Sequence, residues 1–209
     1  MKWRLLSAWG LLGISTAVYA GPTGCCVIPI ADILRHREGI IGYAMSGTER
    51  NVDKSIGHGH YLSVGLFDRI ELGFDNDFNG STVYNAKILL YETPETGQMA
   101  VAAGIQNWDG KGYSEPYLVG RYDLPFCRLH IGALKDDRWR LIAGTDFPLF
   151  GSCTGAIDFM SGPSARIWAS FSAPIPGVDG LALTLYGGFP IERSEGIQWS
   201  VDISWSFRF

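Results

Sequence analysis

What the chain lacks narrows the choice before any residue is placed. After residue 20 no apolar run is long enough for a helix to cross a bilayer, which takes about 20 consecutive apolar residues. Charge is scarce: 18% of the 209 residues are Asp, Glu, Lys or Arg, against roughly 25% in ordinary soluble domains. The net charge is −4, and the composition carries no polybasic signature of a nucleic-acid partner. Catalytic motifs are missing as well: there is no G-x-S-x-G, no H-E-x-x-H and no phosphate loop. No helical crossover separates the extended segments, which excludes a parallel α/β sheet. A mean hydropathy of +0.08 argues against a helical membrane protein. It leaves room for a barrel, in which only alternate residues face lipid.

What is present is extended chain and punctuation. There are 27 glycines and 7 tryptophans, and aromatics make up 13%. The last stretch is the clearest. Ile197, Trp199, Val201, Ile203, Trp205, Phe207 and Phe209 alternate with Gln198, Ser200, Asp202, Ser204, Ser206 and Arg208. Successive side chains of a strand point to opposite faces, so one face is apolar and the other polar. That length suits a tilted strand crossing a bilayer, which needs roughly 9–11 residues.

Residues 1–20 read as a cleaved secretory signal peptide: Lys2 and Arg4, an apolar stretch over 5–18, then Val18-Tyr19-Ala20 before Gly21. A single membrane anchor is the alternative, though the stretch is short for it. Residues 21–38 do not alternate and read as a periplasmic N-terminal segment; a short plug entering the barrel mouth is the alternative. Twelve candidate strands follow, at 39–47, 60–66, 69–77, 83–92, 98–108, 117–124, 126–135, 138–147, 154–161, 166–173, 181–189 and 197–209. The spacing is that of an all-β sandwich or barrel. Exported and closing on an aromatic strand, residues 39–209 are expected to form an antiparallel up-and-down transmembrane β-barrel of about 12 strands.

In such a barrel the polar faces collect in one lumen. Glu71, Asp75, Lys87, Arg121, Arg128, His130, Arg140, Asp146, Asp158, Arg166, Asp202 and Arg208 are the predicted lining, where cations and anions must pair or stay hydrated. An even strand count puts both termini at the periplasmic rim. Cys127 and Cys153, at the start of the seventh and ninth candidate strands, then share that rim with Cys25 and Cys26. An even cysteine count in an exported chain permits disulfides tying the N-terminal segment there. Alternatively, Cys127 is a small buried hydrophobe. The cysteine spacing matches no zinc motif, and His58-Gly59-His60 reads as a solvated loop edge, so no metal ligands, cofactors or catalytic residues are expected.

Three passages resemble the small YjbH-like, exopolysaccharide-associated outer-membrane family: G-L-F-D-R-I-E-L-G-F-D at 65–75, A-K-I-L-L-Y-E-T-P-E-T-G-Q-M-A-V-A-A-G-I-Q-N-W-D-G at 86–110 and Y-L-V-G-R-Y at 117–122. I-A-D-I-L-R-H-R-E-G at 30–39 is similar to the family's lead into its first strand. The ending, with Trp205, Phe207 and Phe209, resembles the signal read by the barrel assembly machinery. The resemblance implies a barrel in outer-membrane lipid, linked to envelope polysaccharide, and supplies no catalytic residues. The expected function is a narrow porin-like channel for polysaccharide or small solutes. A structural barrel without a pore and a lipid-modifying enzyme are the alternatives. His130 points to the lumen, the wrong face for a lipid substrate.

Overall fold

A computed structural model describes residues 24–49, 57–77, 82–163, 165–192 and 196–209. The expected turn at 79–80 lies outside these, as do residues 1–20 and most of the 48–59 loop. The twelve strands are β1 (Glu38–Thr48), β2 (Gly57–Leu66), β3 (Ile70–Asp77), β4 (Thr82–Glu92), β5 (Met99–Trp108) and β6 (Glu115–Asp123), then β7 (Arg128–Lys135), β8 (Trp139–Pro148), β9 (Thr154–Met160), β10 (Arg166–Pro174), β11 (Leu181–Pro190) and β12 (Gln198–Arg208). Each pairs antiparallel with its neighbours in sequence, and β12 returns to β1, so the sheet closes into a barrel. The closing seam runs without a bulge from Glu38↔Arg208 to Thr48↔Gln198. Closure leaves no unpaired sheet edge.

The period-2 pattern fixes which face looks out. Ile41, Leu72, Ile88, Leu118, Ile131, Leu141, Ile157, Leu183 and Trp205 stand exposed on the outer wall, with Ile131 at 64%. Soluble monomers rarely expose apolar patches beyond a few hundred Å². Here apolar side chains recur on the outer face of strand after strand. The alternate residues are buried inside the ring, among them Glu71, Lys87, His130, Asp146, Asp158 and Asp202.

The end where β1 begins and β12 stops is the near rim; the other is the far rim. At the near rim β2 and β3 join through Phe67 and Asp68, both in the left-handed region (φ 55° and 56°). A two-residue hairpin of this kind normally uses Asn or Gly. Here the strain is set against contacts to the N-terminal segment: the Asp68 carboxylate accepts the His36 amide (2.8 Å), and the Phe67 and His36 rings stack at 5.9 Å. The β4–β5 pairing slips at two places, between Tyr84 and Ala86 and between Leu89 and Tyr91. At the first, Asn107 (φ 54°) is the extra residue, and its amide donates to Asn85 Oδ1 at 3.0 Å. The bulge therefore leaves no orphaned N–H.

Residues 24–34 lie inside the ring. Cys25, Ile28, Ile30 and Ala31 are at most 2% exposed and share one cluster with the inward Leu89, Val119, Leu134 and Ile142. Of the two readings of 21–38, this placement matches the short plug and not a lead-in outside the barrel. An apolar loop of this kind gains about 1.5–3 kcal/mol for each large aliphatic side chain it removes from water. The barrel interior is where it does so.

Candidate functional site

The inserted segment is shaped by its own short contacts. Gly24 bridges Pro29, and the Cys25 amide donates to Ile28 O at 2.9 Å, which folds the tip into a tight loop. The loop turns three consecutive amides toward β9. Cys26, Val27 and Ile28 all donate to Asp158 Oδ2, at 2.6, 2.8 and 3.3 Å. Successive N–H groups on a turn form a cradle for negative charge, and Asp158 supplies the charge from the wall.

Further toward the near rim the polarity reverses. Ile30 O accepts from Lys87 Nζ at 3.3 Å. Lys87 in turn faces Glu71 at 3.7 Å, with both side chains at most 1% exposed. Glu71 also accepts the Leu34 amide at 2.9 Å. Asp32 is the segment's own charge. It pairs with Arg121 and, at 2.8 Å, with Arg128. Arg128 continues to Asp146 at 2.5 Å, and Asp146 to His130 Nε2 at 2.6 Å. Charged wall groups on β3, β4, β6, β7 and β8 are thus paired with the segment or with one another, as burial demands, and Asp158 on β9 meets the loop through one of its two oxygens.

The chain leaves the lumen over β2. The Arg37 amide donates to Gly65 O at 3.1 Å. A β-carbon on Gly65 would collide with the carbonyl oxygens of Leu34 and Arg35, so only glycine lets the two backbones pass. Arg35 then pairs with Glu92 at 2.9 Å on the near rim. A cavity of about 570 Å³ opens there, between Arg35, Arg69 and the 93–97 turn.

The remaining wall is different. Ser172, Thr184 and Asp202 lie in one cross-strand row on β10, β11 and β12, each at most 5% exposed. Thr184 Oγ1 donates to Ser172 Oγ at 2.9 Å. Tyr61 of β2 crosses β1 above Gly42, whose missing β-carbon makes room for its ring, and donates to Asp202 Oδ1 at 3.1 Å. At the far rim a cavity of about 330 Å³ is lined by Ser46, Thr48, Trp168, Gln198 and Trp199.

The predicted lining residues fall into three groups. Glu71, Lys87, Arg121, Arg128, His130, Asp146 and Asp158 are brought together around the inserted segment. Asp75 and Asp202 face inward apart from it, Asp75 held by Asn85 Nδ2 at 2.6 Å. Arg140, Arg166 and Arg208 sit at the rims. Arg140 pairs with Asp136, Arg166 donates to Gly196 O at 2.8 Å, and Arg208 meets Glu38 at 2.9 Å with 72% of its side chain exposed. Asp32, Ile28 and Ile30 were not among the predicted lining residues. Nor were Ile40, Val119, Leu134 and Ile142, each at most 1% exposed.

The cysteines correct another expectation. All four are free thiols. Cys25 Sγ lies 3.6 Å from Thr145 O and Cys26 Sγ 3.7 Å from Ala156 O, facing carbonyls of β8 and β9. Cys127 and Cys153 stand in the near-rim turns after β6 and β8. Hydrogen bonds and ion pairs, not disulfides, tether the segment. Nor are Cys25 and Cys26 without chemistry: both sulfurs and an Asp158 oxygen lie within 4.8 Å of one another. Their sequence spacing gave no hint of this, because the third group is more than 130 residues away.

The chain matches no protein-family model and no curated protein. Among solved structures it is similar to the KdgM porin in complex with disordered oligogalacturonate. The TM-score is 0.59 at 15% identity, covering 81% of this chain and 99% of that one. The likeness is one of fold.

Proposed function

We propose that this chain is an outer-membrane β-barrel with a narrow porin-like passage that residues 24–37 hold shut from the periplasmic side. In this reading residues 1–20 are the export signal, the near rim faces the periplasm, the apolar outer wall meets lipid, and Trp205, Phe207 and Phe209 engage the assembly machinery. The observation that carries the proposal is how the segment is held. Asp32 sits between Arg121 and Arg128, and the Lys87 and Glu71 side chains grip the backbone at Ile30 and Leu34. A fixed core would need only apolar contacts. Charged latches can exchange their partners for water when the segment withdraws, leaving a polar wall behind.

The neighbour of known structure is a porin holding an oligogalacturonate. Together with the resemblance to the exopolysaccharide-associated family, it favours polar saccharide-like solutes for the passage.

Planar-bilayer conductance tests the proposal. The wild-type chain is expected to be nearly silent, and Asp32→Ala, or deletion of 24–34, to give stepwise currents. Silence from all three, with each barrel folded, would favour the second reading: a scaffold that anchors a partner without a pore. That reading is favoured by the complete burial of Ile28, Ile142 and Lys87.

A further inference from the structure

We propose that Cys25, Cys26 and Asp158 form a binding site for a zinc-class divalent cation that fastens the inserted loop to β9. The two sulfurs and a carboxylate oxygen are already within 4.8 Å of one another. Two thiolates on one tetrahedral zinc ion stand about 3.8 Å apart, from Zn–S bonds of about 2.3 Å. Rotation of the two cysteine side chains is the adjustment that this geometry asks for. The loop does not need to refold, because its backbone is fixed by the three amides on Asp158 Oδ2.

The second observation is Asp158 itself. It is 1% exposed, and its other oxygen, Oδ1, has no hydrogen-bond partner among the described residues. A buried carboxylate oxygen left bare is costly unless something positive meets it. The donor set, two sulfurs and one carboxylate, matches a borderline-soft ion better than calcium or magnesium, which take oxygen alone. Three protein donors leave a fourth position for water.

The exchange balances. Each thiol gives up its proton as its sulfur takes the ion, so one zinc ion replaces two protons and the net charge of the lumen does not change. No uncompensated charge is buried. The site is independent of whether the barrel conducts, since it asks only that the loop be seated.

The test is metal uptake by the full chain, folded in detergent and kept reduced. Zn2+ is measured by competition with a chelator, and Co2+ by its thiolate charge-transfer absorption. The expected result is one ion per chain and a rise in the thermal unfolding temperature on adding Zn2+. Cys26→Ser should abolish both the cobalt band and the rise, and Asp158→Asn should weaken binding at least tenfold. The double variant Cys127→Ser/Cys153→Ser should bind as the wild type does. Heat-modifiable gel migration confirms that each barrel is folded. If Asp158→Asn does not fold, Cys26→Ser and Cys26→Ala decide alone, since Cys26 is a half-buried loop residue. The proposal is overturned if reduced wild type takes up no zinc. It is equally overturned if folded Cys26 variants retain the cobalt band, or if the Cys127/Cys153 variant loses it.

Discussion

On the wall from β3 to β9 the inward polar side chains are mostly charged: Glu71, Lys87, Arg121, Arg128, Asp146 and Asp158. On the wall from β10 through β12 to β2 they are shorter and mostly uncharged: Ser172, Thr184, Ser204 and Ser63, with Asp202 and Tyr61 bound to each other. Both walls belong to one sheet with one alternation. The difference lies in what each wall meets. The inserted loop presents amides, carbonyls and Asp32 to the first wall, and buried backbone groups must be paired. The second wall makes its polar contacts within itself, such as Thr184 to Ser172 and Tyr61 to Asp202. Most of the charge in this lumen therefore lies where the chain folds back against its own wall.

The strongest way to break the contrast is to remove one partner of the buried pair. Lys87→Met leaves Glu71 desolvated, and should cost about 3–5 kcal/mol in urea unfolding of the detergent-folded barrel. Replacing both, Lys87→Met with Glu71→Leu, should recover much of that cost, because an apolar pair needs no compensation. If the double variant is as unstable as the single one, the pair is not the origin of the loss. Next in size is Gly65→Val, which puts a side chain where the Leu34 and Arg35 carbonyls pass. It should cost about 1–3 kcal/mol. It should also expose Cys26 to maleimide in a Cys127→Ser/Cys153→Ser background, which a change on the second wall should not do. On that wall, Thr184→Val removes one neutral hydrogen bond and should cost about 1 kcal/mol, with no change in Cys26 labelling. The smallest effect is expected at the rim. Arg208→Ala loses an exposed pair with Glu38 and should change stability by less than about 1 kcal/mol.

The ring was legible because its signal is local. Trp205 against Ser204, or Leu183 against Thr184, states a strand face within two residues, and twelve such segments followed by turns imply twelve strands. The direction of most lumen charges followed from the same alternation. The filling was legible only as the alternative of a short plug, without its contacts. Residues 24–37 have no periodicity, and Asp158, which holds their tip, stands 130 to 132 residues further on. The inward Ile40, Val119, Leu134 and Ile142 were hidden for a related reason. A rule that assigns polar residues to the lumen reads them as noise, yet inward apolar groups are what an apolar loop requires. Cys25 and Cys26 misled through their count: an even number in an exported chain permits bridges, but the fold carries two of the four into the lumen.

The position of the loop ahead of β1 has a consequence for biogenesis. The loop is made before its resting place, since β8 and β9 follow more than a hundred residues later. Until then its isoleucines and both thiols have no shelter of their own. A newborn chain of this design depends on protection until its ring has formed more than a barrel with an empty interior would.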